Sequence, residues 1–174
     1  MRLSNIKYTD DYEIYQILGG EAVSIDLQSG DSVEVIDVEG DQQCSVLAVD
    51  SKGSSVMDTL DWSSQPSNNS SKMALDDCSE MLKAILGHNK IKTNNLKGTE
   101  LFSASSPADS RQSFRIDKDT LCVFDAKGGP MIVDEHDAPT EILINVSRAN
   151  PTKPSERLPA VSYTHLTLPT IYSV

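Results

Sequence analysis

Positive charge and aromatic side chains are what this chain has least of. Its 15 Lys and Arg stand against 26 Asp and Glu, for a formal net charge of -11 and a pI near 4.6. A surface of that sign repels phosphate, so neither nucleic acid nor an anionic membrane is an expected partner. Aromatics make up 5% and hydrophobic residues 38% of the 174 positions, a little low but enough for one domain with a real core. No apolar run approaches the ~20 residues of a membrane-crossing helix. The opening MRLSNIKYTDDYE lacks the apolar core of a signal peptide. The three cysteines, Cys44, Cys78 and Cys122, are odd in number and far apart. That pattern predicts reduced thiols in a cytoplasmic protein and not a disulfide framework. The Asn68-Asn69-Ser70 sequon therefore carries no weight. P-loop, G-x-G-x-x-G, H-E-x-x-H, C-x-x-C and G-x-S-x-G motifs are all missing.

What is present is strand pattern, densest in Ser32 to Val49, SVEVIDVEGDQQCSVLAV. Two β-branched-rich runs flank Glu39-Gly40-Asp41, a hairpin signal because glycine takes the positive φ of a tight turn. Another turn, Gln28-Ser29-Gly30-Asp31, precedes them. The expectation is a three-stranded antiparallel meander over 21–27, 32–38 and 42–49. Within the middle strand the apolar phase slips between Val35 and Ile36, which predicts either a β-bulge or burial on both faces. Asp37, Glu39 and Asp41 crowd one end of this unit, and Gln42-Gln43-Cys44 opens the next strand. Those groups either line a pocket or serve as turn-formers beside a small core thiol.

A short strand over 13–18 comes first, stopped by Gly19-Gly20. Residues 50–70 read as a polar loop in which Trp62 folds back as an anchor. Residues 71–86 shift to helical period, with Met73, Leu75, Met81, Leu82, Ile85 and Leu86 on one face, acids early, Lys83 late and Gly87 as C-terminal cap. Cys78 is a packing or surface residue of that helix, and His88 lies just past its end. Residues 89–113 are weakly patterned. A second hairpin is expected over 114–116 and 120–124, then short strands at 131–133 and 141–146. The fold class expected is mainly β, an antiparallel β-sandwich or partly open barrel with one helical insertion.

Two constellations could carry chemistry. Asp134-Glu135-His136-Asp137 offers carboxylates beside an imidazole, suited to a divalent metal or to acid–base work; neighbours in a strand point to opposite faces, so a solvated turn is the simpler reading. Cys44, Cys122 and His136 would suit zinc if the two hairpins faced each other, and would then allow a small metal-dependent hydrolase.

Taken together, the pattern G-D-x-V-E-V-I-D-V-E-G-x-Q-Q-C from Gly30 to Cys44 resembles the urea carboxylase-associated domain of unknown function. It is most similar to the form fused N-terminally to glycine-cleavage T-protein-like aminomethyltransferases. Leu121-Cys122-Val123-Phe124, Gly129-Pro130-Met131, Val133-Asp134, Ala138, Thr140-Glu141-Ile142 and Arg148-x-Asn150-Pro151 follow in matching order. The resemblance implies a polar lead-in at 1–12, one β-rich domain at 13–151 and the start of a linker at 152–160. It also implies a downstream folate-binding domain of the same chain as partner, with tetrahydrofolate as that domain's cofactor. Positions carried over are Asp37, Gly40, Gln43 and Cys44, then Pro130, Asp134, Thr140 and Glu141. Of these, Asp37, Gln43, Cys44, Asp134 and Glu141 are the candidate ligand-binding residues, for a small-molecule amine. The stretch 161–174, VSYTHLTLPTIYSV, has no charged residue and resembles translated sequencing-adapter read-through; it is set aside, His165 included. The expectation is an accessory domain without turnover of its own; a free-standing small-molecule or metal-binding sandwich is the alternative.

Overall fold

The computed structural model describes residues 7–9, 12–64, 66, 71–72, 80–103, 105–127, 140–150 and 161–163. Its strands are β1 (Lys7–Thr9), β2 (Tyr12–Leu18), β3 (Ala22–Leu27), β4 (Ser32–Asp37), β5 (Cys44–Val49), β6 (Leu60–Trp62) and β7 (Ser71–Lys72), then β8 (Lys97–Phe102), β9 (Ser110–Ile116), β10 (Thr120–Ala126), β11 (Glu141–Ser147) and β12 (Val161–Tyr163). The helix α1 (Glu80–His88) lies between β7 and β8. Period two governs most of them, since alternate side chains of a strand face opposite sides. In β2 the buried residues are Glu13, Tyr15 and Ile17, and in β11 they are Ile142, Ile144 and Val146.

Two six-stranded sheets result, ordered β1-β2-β11-β4-β9-β6 and β12-β3-β10-β5-β8-β7. Every pairing among the described strands is antiparallel. The sheets enclose the main core, which runs from Val33, Val35 and Ile144 on one side to Ile25, Val46 and Phe124 on the other. The helix covers the opposite face of the second sheet. Its Met81, Leu82, Ile85 and Leu86 pack with Ala22, Leu47, Val49 and Val123 into a second cluster. Double coverage explains why all six positions of β5 are buried. The architecture is the expected antiparallel β-sandwich with one helix, and the sheets do not close into a barrel.

The expected meander does not form. β3 and β5 belong to the second sheet and flank β10, whereas β4 lies in the first sheet between β11 and β9. The second expected hairpin fails alike, with β9 in the first sheet and β10 in the second. A turn signal specifies a chain reversal but not the partner of the strands it joins. A reversal that steps across the ~10 Å between packed sheets uses the same glycines. Gly30 and Gly40, at φ 92 and 86, supply these steps.

The phase slip in β4 reflects burial on both faces: Val35 and Asp37 point inward, while Ile36 on the outer side is 6% exposed. The bulge falls instead between Cys44 and Ser45, where β5 meets β8. Trp62 is the expected anchor, tilted against Phe114 with ring centroids 4.8 Å apart, but it sits in a strand and not a loop. The described helix spans Glu80–His88, and Ser71 and Lys72, expected to open it, pair with β8 instead; residues 73–79 lie outside the described residues. Nor is Gly87 its cap. Lys90 takes the left-handed conformation (φ 53). Its N–H donates to the Gly87 carbonyl at 3.2 Å and that of Ile91 to Leu86 at 2.9 Å, a Schellman closure with Ile91 and Leu86 in contact. Cys78, the expected strand at 131–133 and the expected linker at 152–160 lie outside the described residues. Val161–Tyr163, within the stretch that resembles adapter sequence, pairs with β3. Among the described residues no helix is long and apolar enough to cross a membrane.

One charged cluster ties the sandwich together. Glu13 of β2 and Asp31 before β4 occupy inward phases, at 6% and 1% exposure. Arg148, just past β11, reaches both. Its Nε and Nη2 donate to Glu13 at 2.9 and 2.7 Å, and Nη1 donates to Asp31 Oδ2 and to the Asp26 carbonyl, both at 2.8 Å. Tyr15 donates its hydroxyl to Glu13, and the Ala149 and Gln28 amides donate to Asp31. Burial would lower the Arg148 pKa, but Glu13 and Asp31 outweigh it and raise it. Removing one member strands a buried charge, so Arg148→Met is expected to cost about 3–5 kcal/mol. Chemical denaturation of the variant checks this; a loss under about 1 kcal/mol would show that water reaches the cluster.

Candidate functional site

Of the residues singled out in the sequence, Asp37, Gly40, Gln43, Cys44 and Thr140 lie together, at the end of the sandwich where β4 and β10 finish and β5 and β11 begin. Asp37 is the last residue of β4 and continues its inward stripe after Val33 and Val35, with no exposed surface. Its Oδ1 accepts the Gly40 N–H at 3.0 Å and its Oδ2 the Gln42 N–H at 3.3 Å. The carboxylate thus shapes the turn that steps between sheets. Gly40 and Asp41 both have positive φ, 86 and 62. A Cβ on Gly40 would fall 2.8 Å from the Ser106 carbonyl oxygen and the Ala108 nitrogen, so glycine is required there for close approach as well as for backbone conformation. Burial pushes the Asp37 carboxyl above the usual range; the two N–H bonds pull it back, and the charges of Asp41 and Glu39 add to the rise.

Of the two glutamines, Gln42 is the joining residue. It is buried; its Nε2 donates to the Gln43 carbonyl at 2.9 Å and to the Lys127 carbonyl at 2.5 Å, and its Oε1 accepts the Thr140 hydroxyl at 3.0 Å. Gln43 contributes through its backbone, whose carbonyl also accepts the Lys127 N–H at 2.9 Å. Nothing in the adjacent pair Gln42-Gln43 distinguishes the two by type; only the turn geometry does. Glu141 opens β11 on the outer phase, away from Asp37, and its carboxylate accepts from Gln16. It belongs to the outer face of the first sheet, so it does not converge with Asp37 and Cys44. Asp134 and His136 lie outside the described residues.

Cys44 faces the main core beside this turn and has no exposed surface. Burial pushes its thiol far above the ordinary range, reinforced by the charges of Asp125 and Asp37 and opposed by Lys127. Cys122 is equally buried and its pKa is raised by burial alone. The two do not meet. Cys44 lies opposite Ala126 and Cys122 opposite Ala48, which separates them by about 13 Å along the strand direction. Two sulfurs on one zinc ion lie only about 4 Å apart, given Zn–S bonds near 2.3 Å. Among the described residues no group of three or more His, Cys, Asp or Glu side chains could hold a metal. As arranged, the described residues of this end are suited to closing the sandwich: the Asp37 carboxylate is committed to backbone N–H groups and the Cys44 thiol is held protonated.

The electrostatics set two expectations. A carboxyl whose folded pKa lies above its unfolded value loses its favourable contribution as pH rises. Hence the stability of the native chain relative to Asp37→Asn should decline as pH climbs above about 3.8, the ordinary carboxyl value. Urea titrations of both proteins from pH 3 to 7 check the slope, and a rising difference would mean that the N–H bonds win. Cys44 and Cys122 should remain unmodified by iodoacetamide at pH 8 in the folded chain and react in guanidinium, as read by peptide mass spectrometry. Rapid native labelling of either would place its thiol at the surface.

No family model matches the chain. Among characterised proteins it is similar to the trimethylamine-oxide aldolase of Ruegeria pomeroyi, strain DSS-3, with 26% identity over 140 residues. The aligned region is 79% of this chain and 18% of that protein. The chain is therefore similar over most of its length to a small part of a much longer enzyme.

Proposed function

We propose that residues 13–151 form a β-sandwich accessory domain, of the urea carboxylase-associated type, within an aminomethyltransferase-like protein. The observation that carries this reading is the extent of the match: 79% of this chain against 18% of the trimethylamine-oxide aldolase. A segment that makes up so small a share of a relative is one unit among several. The T-protein-like resemblance implies transfer of aminomethyl or N-methyl carbon to tetrahydrofolate, and the relative's name places it in the chemistry of a methylated amine. Both lines of similarity concern a substituted amine, which supports this reading. The described residues gathered around Asp37 hold backbone together, which is compatible with a structural role for this end. Tetrahydrofolate would bind a folate domain downstream and not this sandwich.

Two measurements bear on this reading. The gene, sequenced beyond codon 159, should continue in frame into a folate-binding domain. The purified 174-residue chain should neither consume trimethylamine oxide nor bind tetrahydrofolate, while the longer product should bind tetrahydrofolate. Turnover by the chain alone, or a frame without a folate domain, would overturn the accessory role.

A further inference from the structure

A second feature lies at the opposite end of the second sheet, independent of the turn around Asp37 and of the reading just given. A cavity of about 330 Å³ opens there, near the lower bound of small-molecule sites. Its floor is a cross-strand row on the helix-facing side: Asp26 of β3 faces Leu121 of β10, which faces Val49 of β5. Asn89 and Ile91, at the closure of α1, form one wall, so the negative pole of the helix dipole borders the space. Asp50 and Asp119 stand at the rim.

The chemistry of this lining is lopsided. Three carboxylates border the cavity, and among the described residues that line it there is no Lys, Arg or His; Lys52 and Lys92 act on Asp50 from outside the lining. Asp50 spends Oδ1 on the Lys52 and Ser54 amides, and Asp119 spends Oδ1 on the Ser29 amide. Each still has a second oxygen to offer. Burial pushes the Asp26 carboxyl up, with Arg148 pulling it partly back, so a cation placed beside it would recover the energy of ionising it. The apolar part of the lining is aliphatic: Leu27, Val49, Ile91 and Leu121. Among the described residues no aromatic side chain lines it. The lining offers carboxylate and amide oxygens, which suit a ligand with N–H donors better than a quaternary ammonium group held in an aromatic cage.

We propose that the cavity bounded by Asp26, Asp50, Asp119 and the end of α1 is a binding site for an aliphatic polyammonium cation. Its methylene chain lies along Val49, Ile91 and Leu121, and its ammonium groups pair with the carboxylates. The probe is spermidine, titrated calorimetrically into the 174-residue chain at low salt, with tetramethylammonium and magnesium chlorides as competitors. Saturable one-to-one binding is expected, weakened about tenfold or more by Asp26→Asn, the value of one charge-assisted hydrogen bond. Asp61→Asn, which removes an exposed charge on β6 in the other sheet, should leave affinity unchanged. Amide shifts in nitrogen-15 spectra of the unaltered chain should centre on Asp26, Leu121 and Asn89, a readout that does not depend on any variant folding. Absence of saturable binding, equal losses in both variants, shifts spread over the acidic surface, or equal competition by tetramethylammonium or magnesium would each overturn the site.

Discussion

The guanidinium of Arg148 is the constraint on which the arrangement of strands depends. Glu13 and Asp31 hold inward positions at the rim of an apolar core, where an isolated carboxylate would cost several kcal/mol. Only a geometry that brings the end of β11 between the start of β2 and the turn before β4 satisfies both. Those strands are neighbours in the first sheet, and the pairings Val146 with Glu13 and with Val33 fix the register that puts Arg148 in reach. The bond to the Asp26 carbonyl extends the tie to β3 in the second sheet. Against a hydrophobic replacement such a cluster adds little net stability. Its effect is selective: a slip of one residue in β2 or β11 would turn Glu13 or Arg148 outward and leave the other charge buried alone.

The alternation that makes strands was legible in the sequence, and so was the apolar face of α1 over residues 81–86. Pairing partners were not. Gln28 to Asp31 and Glu39 to Asp41 carry true turn chemistry, and the chain does reverse there. Whether a reversal returns to the same sheet depends on which strands bury both faces, and that is a property of the assembled sandwich. β5 illustrates the point. Its Val46-Leu47-Ala48-Val49 run is apolar on both phases because the core lies on one side and the helix on the other. A hairpin arm at a solvent face would alternate instead. The helix end was misplaced for a related reason: glycine is the commonest residue at the left-handed position, but Lys90 fills it here, and the burial of Ile91 against Leu86 supplies the compensation.

Legibility of the site divides in the same way. Asp37, Gly40 and Cys44 stand out because they interrupt an apolar pattern, and the structure gathers them at one end of the sandwich. The stripe Asp31-Val33-Val35-Asp37 shows why. Two acids bracket the inward face of β4, one neutralised by a guanidinium and the other by backbone amides. Both are solutions to burial. Asp26, Asp50 and Asp119 do not stand out in the sequence, since each reads as an ordinary turn or strand-edge acid in a chain with 26 Asp and Glu. What sets them apart is the space between them, and sequence carries no record of a cavity formed by three strands and a helix end.

The two ends of the sandwich are therefore electrostatic opposites in design. At the Asp37 end, the carboxylate is taken inside and answered by the protein's own N–H groups. At the cavity end negative charge faces a solvent-connected space, and the cations that act on it, Lys52 and Lys92 on Asp50 and Arg148 on Asp26, are not among the described lining residues. A net charge of -11 makes the second condition costly through self-repulsion, and the cost falls when mobile cations gather. Small monovalent ions screen over about 8–10 Å without seating anywhere. An aliphatic cation does both, because its chain also covers the partly exposed Leu121 beside the buried Val49 and Ile91. An acidity of this size favours ligands of the opposite sign, and the aliphatic floor decides which of them stay.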